Sequence, residues 1–147
     1  MRLYTMVNPY LSSIQSGIQT AHCIADMFAK YKAHDVSCLQ DYLYRWAGEH
    51  KTIIVLNGGN CAELQQRYSL INDISRHLHL PCGYFAEDSE SLNGALTCIG
   101  VVVPAYIYEY AATMRGNSDQ WDVTAESNLN EKEIALATLI NSCQLAR

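Results

Sequence analysis

The sequence predicts an α/β protein: a three-layer α/β/α domain with a four-stranded, mostly parallel or mixed sheet and an extra C-terminal helix. Two observations favour this class. Segments apolar enough for buried strands, above all 51–56 and 95–103, alternate with segments whose apolar residues recur every three or four positions. Such alternation places helices on both faces of a sheet. The chain of 147 residues is long enough to bury that core.

The first strand is predicted over residues 2–8 and ends at Pro9. Ser12, followed three positions later by Gln15, has the pattern of a capping box and predicts the start of a helix. One apolar stripe of this helix has steps of 4, 3, 4 and 3, which predicts a buried face: Ile14, Ile18, Ala21, Ala25 and Phe28. A polar stripe runs beside it: Gln15, Gln19, His22 and Asp26.

The middle of the chain continues the alternation. A second helix is expected over 36–47, with Gly48 as its stop, and residues 51–56 are apolar on both faces, which is typical of a central strand. Asn60, at the end of a glycine-rich turn, caps a predicted helix that reaches about His79. A short strand over 82–86, a polar loop, a long strand over 95–103 and a helix opened by Pro104 complete this part.

The C-terminal part begins with a polar stretch over 116–129, interpreted as a connection anchored by Trp121. Asn130 then caps a last helix whose apolar face extends to Leu145. We therefore predict a domain over residues 1–115 and a C-terminal part over 116–147 that packs on it or in an oligomer.

Composition excludes several classes of protein. With 49% hydrophobic residues the chain is not a disordered one, and its net charge of -5 argues against a surface that holds nucleic acid by its phosphates. No apolar run approaches the ~18 residues of a membrane span, and the N-terminus lacks the apolar stretch of a signal peptide. The prediction is a cytoplasmic protein that has no membrane partner. Its six cysteines are expected to be free thiols, and no metal or cofactor is expected.

Three segments follow one another in a recognisable order. The first strand leads to a helix with a Gln-x-x-His pair, Gln19 and His22; a strand over 51–56 leads to a helix ending at Leu80-Pro81; and the loop 87–93 leads to a strand and a Pro-started helix. Over residues 2–113 this order resembles the type 2 peptidyl-tRNA hydrolases. The resemblance implies a four-stranded mixed sheet between helical layers and a homodimer or higher oligomer.

The chain departs from that family where function is concerned. The family's catalytic lysine lies in the turn that opens the first helix, where this sequence has Ser13 and Gln15, and no lysine occurs before Lys30. The family's Asp-Ala-Gly-x-Thr stretch is missing, and the chain is acidic. Because function depends on the site and not on the fold, the same hydrolysis is not expected.

Three groups of residues are candidate ligand sites. The amides and imidazole of the polar stripe can read a base edge or a ribose hydroxyl, or they form a solvated helix face. The turn 57–60 can hold a phosphate at a helix N-terminus or is a tight turn with a cap. The acidic loop 87–93 can supply a general base or is solvated. The predicted ligand-binding residues are Ser12, Ser13, Gln15, Gln19, His22, Asn57, Ser89, Ser91 and Asn93.

Three functions are compatible with these features. The first is a protein that binds a small nucleotide-like ligand without cleaving it, such as a phage or bacterial accessory protein that sequesters a nucleotide signal. The second is a divergent hydrolase of peptidyl-tRNA, with tRNA as its partner, in which His22 acts as the base and Glu87 or Asp88 supports it. The third is a protein-interaction module that uses the C-terminal helix.

Overall fold

A computed structural model describes residues 1–33, 37–90, 93–116 and 128–146. Within these ranges the chain forms four strands and five helices, which confirms the predicted three-layer α/β/α class. The strands are β1 (Arg2–Val7), β2 (Ile53–Asn57), β3 (Cys82–Ala86) and β4 (Leu96–Val103). The helices are α1 (Ser13–Ala33), α2 (Ser37–Arg45), α3 (Cys61–Leu78), α4 (Ala105–Gly116) and α5 (Glu131–Ser142).

The sheet is mixed, with the strand order β2-β1-β4-β3. β1 pairs in parallel with β2, and β4 runs antiparallel to both β1 and β3, so β1, β2 and β3 all point the same way. The prediction of 51–56 as a central strand is wrong, because β2 lies at the edge of the sheet and Ile53 is 41% exposed. An apolar run is also compatible with an edge strand when other chain segments cover part of it.

The sheet separates two apolar cores. On one face, Leu3, Val7 and Val102 pack with α1 and α2; on the other, Met6, Ile99 and their neighbours pack with α3, α4 and α5. The alternation of side chains along β1 and β4 produces this division. Every residue of β4 is buried, as expected of a central strand.

Helix α1 begins where the capping box predicts. The Ser12 N–H donates to Gln15 Oε1 at 2.9 Å and the Gln15 N–H donates to Ser12 Oγ at 3.2 Å. The predicted buried stripe is wrong, however, since Ile14, Ile18, Ala21 and Ala25 are exposed and Phe28 is half-buried. The face on the sheet consists instead of Ser16, Gln19, Thr20, Cys23, Met27 and Tyr31.

Close approach to the sheet explains which face of α1 is buried. A Cβ atom at Gly100, in the middle of β4, would lie 3.1 Å from Cys23 Sγ and 3.3 Å from Met27 Sδ. Small and slender side chains on α1 therefore fit against a glycine in the sheet, whereas the branched isoleucines of the other stripe would hold the helix further away.

The other helices agree with their end signals more closely than with their predicted lengths. Helix α3 has the predicted capping box of Asn60 and Glu63, and α5 has an equivalent box of Asn130 and Glu133. Gly48 does not stop the second helical segment, because a π-helical turn, Trp46–His50, continues through it. Helix α5 packs on α3 and α4. The predicted connection, including Trp121, lies mostly outside the described residues.

Candidate functional site

The predicted site residues gather at one end of the sheet. Since β1, β2 and β3 run in the same direction, their carboxyl ends share an edge, where Asn8 follows β1, Asn57 ends β2 and Glu87 follows β3. The amino end of α1 starts at this edge too. Ligands of open α/β sheets bind most often outside the carboxyl ends of the strands. The structure therefore places these residues in the region where a ligand is most expected.

A cavity of about 340 Å³ opens at this edge, between the ends of β1 and β2. We call it the strand-end cavity. It combines apolar walls with amide and hydroxyl groups, and no charged side chain among the described residues lines it. Its lining consists of Val7, Asn8, Pro9, Leu11, Ser16, Asn57, Gln144, Leu145 and Ala146.

Three polar side chains determine the chemistry of the strand-end cavity. The side-chain oxygens of Asn8 and Asn57 are occupied, since each accepts a backbone N–H two residues later, from Tyr10 and Gly59, at 3.0 Å. Their amide nitrogens have no hydrogen-bond partner among the described residues. Ser16 as a residue is only 6% exposed, and its hydroxyl likewise has no hydrogen-bond partner within those ranges. The cavity thus offers two amide donors and a hydroxyl that can donate or accept.

The C-terminal tail, residues 143–146, forms one wall of the strand-end cavity. It leaves α5 and pairs with the free edge of β2: the Asn57 N–H donates to the Gln144 carbonyl at 2.8 Å, and the Ala146 N–H donates to the Val55 carbonyl at 3.0 Å. The tail lies antiparallel to β2, with Leu145 opposite Leu56. Sequence reasoning missed this wall because it assigned Leu145 to the last helix. The turn-forming residues Asn141 and Ser142 are the only hint of an earlier helix end.

A buried hydrogen-bonded group lies beside the cavity. Gln19, 7% exposed, donates from Nε2 to Glu87 Oε1 at 2.6 Å, and its Oε1 accepts the Thr97 hydroxyl at 3.0 Å. The Asn8 N–H donates to the Thr97 carbonyl at 3.3 Å, which links this group to the cavity wall. Both ends of the Gln19 amide are therefore engaged within the protein, and Gln19 ties α1 to β4 and to the end of β3.

The three residues proposed as catalytic for a hydrolase, His22, Glu87 and Asp88, lie in different surroundings. His22 lies on the exposed side of α1, where its ring is 4.6 Å from the Phe85 ring, centroid to centroid. Glu87 Oε1 is engaged by the Gln19 amide. Asp88 lies in the exposed loop, where its Oδ1 accepts the Glu90 N–H at 2.9 Å. None of these three residues lines the strand-end cavity.

The glycine-rich turn 57–60 is occupied by the protein's own groups. Its backbone donors are engaged by Val7, Asn57 and the Glu63 carboxylate, which accepts the Asn60 N–H at 2.8 Å. Because a carboxylate already sits at the N-terminus of α3, the turn is a capped one, and a phosphate there would meet a negative charge.

The remaining predicted residues lie around the edge of the site. Ser12, Ser13 and Gln15 are exposed at the start of α1, and Ser12 and Gln15 serve the capping box. Ser89 and Asn93 are exposed in the acidic loop. Ser91 lies outside the described residues. Of the predicted ligand-binding residues, the structure places only Asn57 in the cavity lining, and it adds Asn8 and Ser16, which the sequence reasoning did not select.

In the part of the chain that the structure describes, no three His, Cys, Asp or Glu side chains are grouped closely enough to hold a metal ion. None of the described helices has the length and apolar character needed to cross a bilayer.

No family model matches the chain, and no curated protein matches its sequence. The resemblance to the type 2 peptidyl-tRNA hydrolases stays a prediction.

Proposed function

We propose that the protein binds a small, uncharged, nucleoside-like molecule in the strand-end cavity and does not cleave it. The observation that carries this proposal is Ser16, a residue only 6% exposed that lines the cavity and whose hydroxyl has no hydrogen-bond partner among the described residues. A ligand that takes the place of water at this hydroxyl gains a hydrogen bond, and such an exchange contributes about 0.5–1.5 kcal/mol. The amide donors of Asn8 and Asn57 add directional contacts for the carbonyl and ring-nitrogen acceptors of a base.

The size and charge of the cavity support a nucleoside more than a nucleotide. A volume of about 340 Å³ is at the lower end of the range for small-ligand sites. The described lining offers no lysine or arginine for a phosphate, and Glu87, Asp88 and Glu90 lie at the same end of the sheet. A phosphorylated ligand would therefore be repelled relative to the parent nucleoside.

The cavity chemistry also supports binding without catalysis. Its described lining contains no histidine, cysteine or carboxylate that could act as a nucleophile or general base. A protein of this kind acts by sequestering its ligand, as in the sequence-based hypothesis, but the ligand proposed here is a nucleoside in place of a nucleotide.

The test is thermal unfolding of the purified protein with adenosine, guanosine, cytidine and uridine, each compared with its 5′-monophosphate. A ligand present at 100 times its Kd stabilises the folded state by about 2.7 kcal/mol. We expect at least one nucleoside to raise the melting temperature, and its monophosphate to raise it less. Native mass spectrometry of the same preparation reports any nucleoside that co-purifies.

A variant pair locates the binding. Ser16→Leu fills the cavity and removes the hydroxyl, so it should abolish the nucleoside-induced shift, whereas Ser69→Leu on the exposed side of α3 should preserve it. The proposal is wrong if no nucleoside changes the melting temperature and none co-purifies, or if Ser16→Leu binds as well as wild type. Release of peptide from peptidyl-tRNA by the wild type would contradict the absence of cleavage.

A further inference from the structure

Helix α1 is apolar on the side that faces away from the sheet. The sheet side includes the polar residues Ser16, Gln19 and Thr20, all of them buried. The opposite side exposes Ile14 to 76% and Ile18 to 48%. If α1 packed on the sheet and on nothing else, the reverse arrangement would be favoured, with the isoleucines buried against the sheet and the polar side chains in water. The outward side of α1 therefore has the composition of a face that is covered.

The spacing of the outward side chains identifies what kind of element covers it. Ile14, Ile18, Ala21, Ala25 and Phe28 follow steps of 4, 3, 4 and 3, which is the a/d repeat of a helical seam. Lys32, at the next seam position, ends it. A strict repeat of this kind fits a second helix laid alongside, rather than a sheet or an extended peptide. We call these five residues the α1 seam.

We propose that the α1 seam pairs antiparallel with the same seam of a second copy of this chain, forming a symmetric dimer. In the antiparallel register, Ile14 lies opposite Ala25 of the partner subunit and Ile18 lies opposite Ala21 of the partner subunit. Each layer then combines one large and one small side chain. The two-fold axis repeats both layers, so the one helix is complementary to itself, as an isologous interface requires.

The surroundings of the α1 seam favour such a contact. Gln15, Gly17 and His22 flank its N-terminal half and carry no fixed charge that would repel a second copy. Gly17 has open space around it, since a Cβ built there meets nothing within 4 Å. A glycine at the flank lets two helix backbones approach closely.

The area is sufficient for a weak but specific dimer. The Tyr44 ring, 45% exposed, packs edge-on against Phe28 at 5.3 Å and extends the apolar surface. Taking roughly 200 Å² for a fully exposed large apolar residue, Ile14, Ile18 and Tyr44 together expose roughly 350 Å² per copy. Two copies, with Ala21, Ala25 and the flanking residues added, reach about the 1,000 Å² that a specific interface needs.

The test is sedimentation equilibrium of the ligand-free, full-length protein over a range of concentrations. We expect the wild type to be a dimer at micromolar concentration. Ile18→Glu, which places a charge in both symmetric layers, should weaken the dimer at least 100-fold. The matched control is Leu70→Glu. It introduces the same charge at another exposed apolar residue, since Leu70 is 43% exposed on α3. Leu70→Glu should leave the dimer unchanged.

A rescue variant tests the antiparallel register. Combining Ile18→Glu with Ala21→Lys places opposite charges facing each other across the two-fold axis, so this double variant should recover dimerisation at low salt and lose it again at high salt. In a parallel pair, like charges would face each other and no recovery would occur. Far-UV circular dichroism and a melting curve show that each variant is folded. A monomeric wild type, a dimer that survives Ile18→Glu, or the absence of rescue would each overturn the proposal.

Discussion

Gln19 has two possible roles: its hydrogen bonds stabilise the fold, or its amide contacts a ligand. Replacing Gln19 by Met tests which one applies. Gln19→Met keeps nearly the same side-chain volume, so it leaves almost no cavity. It removes a hydrogen bond to the Glu87 carboxylate at 2.6 Å and one from the Thr97 hydroxyl at 3.0 Å. The bond to the charged group is worth about 1.5–3 kcal/mol and the neutral one about 1 kcal/mol. We therefore expect the free energy of unfolding to fall by about 3 kcal/mol, equivalent to a melting temperature lower by about 10 °C.

Urea unfolding of the ligand-free protein is the assay. Gln65→Met on the exposed face of α3 makes the same chemical change and should stay within about 0.5 kcal/mol of wild type. Thr97→Val removes the hydrogen bond to Gln19 together with a longer one, at 3.5 Å, from the same hydroxyl to the Phe85 carbonyl. Its combination with Gln19→Met should cost less than the sum of the two, since both remove the contact between Gln19 and Thr97. If Gln19→Met costs less than 1 kcal/mol, the hydrogen bonds of Gln19 do not stabilise the fold, and its role as a ligand contact becomes the better interpretation.

Three further outcomes are expected. Gly100→Val should destabilise by about 1–3 kcal/mol in urea unfolding, because its side chain meets Cys23 and Met27. Burial raises the pKa of Tyr31, Tyr68 and Tyr106 to about 12. The unfolded chain loses these protons near pH 10 and the folded one near pH 12, so urea midpoints should fall as pH rises through this window, and Tyr31→Phe should make the fall shallower. Asn130→Ala should cost about 1 kcal/mol of thermal stability, because the Asn130 side chain accepts the Lys132 and Glu133 N–H groups at 3.0 Å; a loss near zero would mean that α5 is held by packing alone.

The sequence predicts the local features of this fold well because each is determined by a few neighbouring residues. Asn60 with Glu63, Asn130 with Glu133 and Ser12 with Gln15 each form the capping contacts that their spacing indicates. Strand β3 occupies the predicted residues, and β4 begins one residue later than predicted. These signals do not depend on which helices and strands pack against each other in the folded protein.

The features that the sequence does not predict depend on contacts between distant segments. The edge position of β2 depends on β1 pairing with β4 on its other side, which an apolar pattern within 51–56 does not encode. The wall of the strand-end cavity depends on residues 143–146 returning to β2. Asn8 and Ser16 line the cavity that this return helps to enclose, so neither carries a local signal of a site.

The wrong prediction of the buried face of α1 is informative in a different way. The α1 seam has the regular spacing of a buried stripe, but the sheet does not bury it. Two interpretations of a strict a/d repeat are possible: it faces the core of its own domain, or it faces another helix. Gly100 in the sheet favours the slender face of α1 for the core, which leaves the second interpretation for the seam. Ser16 lies on the sheet side and Ile18 on the outward side. The proposed ligand site and the proposed dimer interface therefore lie on opposite sides of one helix, so we expect Ser16→Leu to leave the dimer unchanged and Ile18→Glu to leave the nucleoside-induced shift unchanged.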